Sequence, residues 1–217
     1  MESTINDIRV RSAKLNSHGY IYSKLLFRYA LIYVIGFGIG LAAYYLFDFP
    51  FSDKINAYIY GHFDNLFKNC KNPFDYLRVL IDCSNVDIKH LFFIFTAGFT
   101  LFAGIAMLCV ILYRGISLGF SVGYLITVLK NGMITFNSIE VAFAVFLCAN
   151  AFIASAMIVM CTKSTVFSDE FRRMGGRKRV IFRSRVLYNQ IFRLLMILGI
   201  ILLINLLRCI INAYISA

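Results

Sequence analysis

The sequence predicts an all-α, polytopic transmembrane bundle of about five spans, and three observations predict it. Hydrophobic residues make up 60% of the 217 and mean hydropathy is +0.75, more apolar surface than one soluble core of this length encloses. The apolar residues run in long uninterrupted stretches, and a helix needs roughly 20 residues to cross about 30 Å of hydrocarbon. The formal net charge is +11, and 14 of the 22 Lys and Arg residues gather in two segments, 1–28 and 162–193, on either side of most of the apolar runs.

Residues 1–28 are polar and basic, with Arg9, Arg11, Lys14, Lys24 and Arg28 against Glu2 and Asp7. They lack a basic start followed by a short apolar core and a small-residue cleavage site, so residues 29–47 read as span 1 and an uncleaved anchor. Residues 91–129 read as a glycine-rich hairpin of spans 2 and 3, Leu91–Tyr113 and Ile116–Leu129, with Arg114 at a tight cytoplasmic turn. Span 3 is short, roughly 21 Å at 1.5 Å per residue. Residues 133–161 form span 4, and residues 194–217 form span 5 with a semi-polar tail.

Charge fixes the expected orientation. Residues 162–193 carry nine Lys/Arg against Asp169 and Glu170, whereas residues 48–90 carry five Lys/Arg against six Asp. The positive-inside rule places both basic segments in the cytoplasm. That requires four crossings between them, hence five spans, with the N terminus inside the cytoplasmic membrane and the C terminus outside. The same rule accounts for the positive charge without nucleic acid, and the basic 162–193 segment is suited to anionic membrane lipid.

Residues 48–90 are patterned as an extracytoplasmic amphipathic segment. Ile55, Tyr58, Ile59, His62, Phe63, Leu66 and Phe67 recur at helical spacing behind a Ser52 cap. A second short helix starts at Asn72-Pro73, with Phe74, Leu77 and Ile81 on one face. Two readings share this pattern: surface helices on the outer leaflet, or a docking face for a partner with Phe63, Leu66 and Phe67 as contacts.

The clearest motif is Gly115-Ile-Ser-Leu-Gly119-Phe-Ser-Val-Gly123, a doubled GxxxG in an apolar helix. Glycines four apart make a flat stripe on which a second backbone can close. Gly36 and Gly40 repeat the spacing in span 1, and Gly98 and Gly104 lie in span 2. Close packing within the chain is the expected use, with a homo-oligomer face as the alternative. Asn150 and Asn205 are expected to hydrogen-bond across helices, and Asn137 with Glu140 has the spacing of a capping box.

Chemistry is sparse. His62, Cys70, Cys83 and His90 match no compact zinc spacing, and Cys70 and Cys83 are placed where a disulfide is chemically permitted. No triad, phosphate loop or paired intramembrane carboxylates stand out, and no ionisable residue is read at mid-membrane. These features argue against an enzyme, a cofactor and an ion-coupled carrier.

The stretch Ala97-Gly98-Phe99-Thr100 through Gly104, then Tyr113-Arg114-Gly115 to Gly119-Phe120 and Gly123, resembles the stage II sporulation protein M family. Asn150 in Cys148-Ala149-Asn150 and the ending Ile210-Ile211-Asn212-Ala213-Tyr214-Ile215 extend the resemblance, which runs from about residue 20 to the C terminus. Cys148, Ala149 and Asn212 depart from the family pattern. The resemblance implies a non-enzymatic membrane scaffold in endospore formers, anchoring peptidoglycan-degrading partners, the stage II sporulation proteins D and P, during engulfment. The rival expectation is a permease-like subunit of an ATPase-driven exporter, with a polar path along Ser117, Ser121, Thr127 and Asn150.

Overall fold

The computed structural model describes residues 2–46, 73–100, 102–130, 136–173 and 178–216, with side chains over 20–46, 80–82, 84–100, 102–127, 143–169 and 187–211. It is an all-helical bundle of α1 (Glu2–Leu46), α2 (Pro73–Ala97), α3 (Ala103–Lys130), α4 (Phe136–Arg173) and α5 (Lys178–Ser216). Among the described residues, four helices contain stretches long and apolar enough to cross a membrane, Tyr20–Leu46, Ala103–Thr127, Phe143–Asp169 and Leu187–Ile211, and α2 is not one of them. The chain is a multi-pass membrane protein. The first amphipathic helix expected in the outer segment, with Phe63, Leu66 and Phe67, lies outside the described residues, as do His62 and Cys70.

Span boundaries in the middle of the chain differ from those expected. Arg114 is not at a turn. It lies near the centre of α3, which joins the second half of the expected span 2 to all of span 3. The helix break falls instead at 98–102, inside an apolar run where no charge marks it. Local bonds close the break: Gly98 N donates to Ile94 O at 3.1 Å, and Thr100 uses both its N–H and its hydroxyl on Ala97 O, at 2.9 and 2.7 Å. Ser168 on α4 then donates to Thr100 O at 2.9 Å, and Phe99 meets Phe95 and Phe167 edge-on, each at 5.2 Å. These contacts hold the turn against α4.

The second correction concerns α2. The helix begins at Pro73, where the Asn-Pro signal predicts a start, but it does not stop to lie on the surface. It continues through Asp87 and His90 to Ala97 and packs against α3, α4 and α5. Ser84, Asp87, Leu91 and Ile94, spaced by three and four, form its buried stripe.

Neighbouring contacts give the course of the chain. Tyr29 near the start of the α1 apolar stretch bonds Thr165 near the end of that of α4, and the 98–102 turn rests on the same end of α4. Tyr44 near the end of α1 stacks edge-on against Phe120 of α3 at 5.2 Å. Thus α1 and α3 run parallel, α2 runs antiparallel to α3, and the five helices alternate in direction. The main core joins Tyr29, Leu91, Ile94, Met107, Ile111, Ile153, Met157 and Ile201, drawn from every helix.

Candidate functional site

Two constructions hold the bundle: a glycine seam between α1 and α3, and a polar network among α2, α3, α4 and α5. At the seam, a Cβ on Gly36 would lie 2.7 Å from Leu112 O, and one on Gly40 would overlap the Ile116 carbonyl. In return, a Cβ on Gly115 would strike Tyr33 O and one on Gly119 would strike Phe37 O, while one on Gly123 would lie 2.7 Å from the Tyr44 ring. Backbone of each helix therefore occupies the space where the other would carry a side chain. This is the small-residue packing that membrane helices use in place of a hydrophobic driving force. The seam lies within one chain. Gly98 also meets a neighbour, with Ser164 Cβ 3.1 Å from its would-be Cβ, whereas a Cβ on Gly104 would meet nothing within 4 Å. Gly104 shares the sequence pattern but not the packing, because it stands at the start of α3 beyond the seam.

The network is centred on Asp87. Its Oδ1 lies 2.5 Å from Arg114 Nη2, and its Oδ2 accepts from Asn205 Nδ2 at 3.3 Å. Asn205 Nδ2 also reaches Ser84 Oγ at 3.3 Å, and Arg114 Nη2 donates to Asn150 Oδ1 at 3.2 Å. Asn150 in turn donates to Phe146 O at 2.9 Å, and the Arg208 guanidinium lies over the Phe146 ring, 4.8 Å from its centre. Four helices thus contribute: Ser84 and Asp87 from α2, Arg114 from α3, Asn150 from α4, Asn205 and Arg208 from α5. Asp87 is 3% exposed and Asn205 fully buried. His90, one turn below Asp87, faces Tyr113 with ring centres 5.6 Å apart.

Sequence reasoning found Asn150 and Asn205 but missed Asp87 and misassigned Arg114. The expectation of no ionisable group at mid-membrane does not hold. Arg114 is 11 residues from Ala103 and 13 from Thr127, so the pair lies midway along the α3 span. The signal available was the spacing of Ser84 and Asp87 in register with Leu91 and Ile94, which continues an apolar stripe into polar residues.

Of the polar residues expected to line an exporter's path, Ser117 is exposed and Asn150 accepts from Arg114, while Ser121 Oγ donates to Ser117 O at 2.9 Å and Thr127 Oγ1 to Gly123 O at 3.1 Å within their own helix. Among the cysteines, Cys161 and Cys209 are buried while Cys109 and Cys148 are exposed. No cluster of three His, Cys, Asp or Glu able to hold a metal occurs among the described residues. Asn137 and Glu140 lie in the first turns of α4, with side chains outside the described set. Comparisons with protein-family models, curated proteins and solved structures return no match.

Proposed function

We propose that the chain is a non-enzymatic scaffold of the cytoplasmic membrane, with its N terminus and basic 174–186 stretch in the cytosol and residues 47–72 and the C terminus outside. The observation that carries the reading is the Asp87–Arg114 pair, tied to Asn150 and Asn205. Charges at the bilayer centre are expensive, and here they are turned inward on one another. Side chains from four helices converge on this pair, which favours one fixed arrangement of those helices. The alternation of helix direction supports the orientation, because it brings the two basic segments to one end.

The resemblance to the stage II sporulation protein M family names the cargo: peptidoglycan-degrading proteins of the stage II sporulation D and P kinds, held at the membrane during engulfment. Recovery of those hydrolases with the tagged chain from sporulating cells, and their dispersal when it is deleted, is the expected result. Recovery only with an ATPase, and only with nucleotide, would replace the scaffold with the permease-like subunit. That second reading draws on the same pair, since ionisable groups at mid-depth also mark transport pathways.

A further inference from the structure

The outer face of α2 is not a lipid face. Asp82, Asn85, Val86 and Lys89 recur at three- and four-residue spacing and are all exposed. Ile81, Phe92 and Phe93 flank them, also exposed. Lys89 is two residues from Asp87, which pairs with Arg114 at the middle of the α3 span. It therefore sits within about 3 Å of that level along the helix axis. An extended lysine side chain reaches about 6 Å, while either edge of a hydrocarbon layer about 30 Å thick is about 15 Å away. With α2 crossing the membrane, snorkelling does not bring this ammonium to water. No hydrogen bond or ion pair from Lys89, Asn85 or Asp82 to another described residue is formed within the chain.

We infer that the Asp82–Asn85–Lys89 stripe of α2 is an intramembrane docking surface for a transmembrane helix of a partner protein, one that carries a carboxylate opposite Lys89. Charge complementarity selects this occupant. A second copy of the chain in the same orientation would bring Lys89 against Lys89, and its own Asp82 lies seven residues away, about 10 Å higher along the helix. A helix with a single acidic residue at mid-depth neutralises Lys89 and leaves Asn85, one turn above, to bond a polar neighbour. Such pairing gives a scaffold a means of holding a single-span protein within the bilayer. The inference deepens the scaffold reading by naming the kind of segment held, and it rests on α2 crossing the membrane.

The test uses the full-length purified chain in liposomes with synthetic leucine–alanine transmembrane peptides of about 24 residues. Each peptide carries Glu, Leu or Lys at its centre, and energy transfer reports association. The Glu peptide is expected to bind about tenfold more tightly than the Leu peptide, about 1.4 kcal/mol. Lys89→Leu removes the preference, and Lys89→Glu transfers it to the Lys peptide. Equal binding of Glu and Leu peptides overturns the proposal, as does chain–chain association that Lys89→Leu abolishes. A Glu preference unchanged in Lys89→Leu overturns it too. The assay contains no hydrolase, so loss of hydrolase recovery with the peptide preference intact would sink only the scaffold reading.

Discussion

Asp87 of α2 and Arg114 of α3 meet at 2.5 Å from the two arms of a helical hairpin whose tip is the 98–102 turn. Ten residues separate Asp87 from the end of its helix, and 11 separate Arg114 from the start of its own, so the pair forms where the arms are level. A buried pair of this kind is costly to break and of modest net worth as a pair, because removing one partner leaves the other charge desolvated.

Arg114→Leu is therefore expected to destabilise the bundle by about 3–5 kcal/mol. The double variant Asp87→Leu with Arg114→Leu should recover most of the loss, since no lone charge remains. Reversible unfolding in mixed detergent micelles checks both. A double variant as unstable as the single one would show that the charge pair is not what holds the hairpin arms.

The glycine seam makes a different prediction. Gly40→Ala and Gly119→Ala each push a methyl into a facing backbone carbonyl, where nothing flexible can move aside. Each is expected to cost about 1–3 kcal/mol as overpacking. Gly104→Ala, with open space around it, should change stability by less than about 0.5 kcal/mol. Thermal unfolding in detergent separates the two classes, and equal effects at all three positions would remove the seam from the account.

Asn205→Leu tests the weaker member of the network. Interhelical hydrogen bonds in membranes average about 0.6 kcal/mol and reach about 1.7 kcal/mol. The variant should fall within that range and well short of Arg114→Leu, because Asp87 keeps its guanidinium partner. A loss as large as that of Arg114→Leu would place the centre of the network on Asn205.

At the end of the bundle that carries the 98–102 turn, Tyr29 Oη and Thr165 Oγ1 are 2.7 Å apart and buried. Tyr29→Phe leaves Thr165 bonded to Cys161 O, so no orphaned hydroxyl remains. A loss of about 1 kcal/mol is expected in the same unfolding assay. A loss above about 3 kcal/mol would mean that the phenol secures more than this bond.

Much of this fold is legible in residue order, and the illegible part has one cause. Long apolar runs announce α1, α4 and α5, and Asn72-Pro73 announces the start of α2. The seam glycines Gly36, Gly40, Gly115, Gly119 and Gly123 are visible as spacing, although spacing alone extended the pattern to Gly104. The α2–α3 hairpin is hidden because a charge in an apolar run ordinarily marks an interface. In sequence Arg114 resembles a turn and Asp87 part of a loop, yet in the fold each hides the other's charge. Gly98-Phe99-Thr100, the real turn, carries no charge to betray it, and its polar backbone is satisfied by Thr100 and by Ser168 from 68 residues away. The only local mark of the pairing is the register of Ser84 and Asp87 with Leu91 and Ile94, which does not name Arg114 as the partner.

The most direct measurement is of where the hairpin tip lies. In a variant without other cysteines, Phe102→Cys places an exposed thiol at the tip, and Ile55→Cys places one in the segment between α1 and α2. With a membrane-impermeant maleimide, Ile55→Cys should label in intact cells, and Phe102→Cys should label only in inverted vesicles. Labelling of Phe102→Cys in intact cells would mean that α2 does not cross, and would contradict both the hairpin's placement and the role given to its outer face.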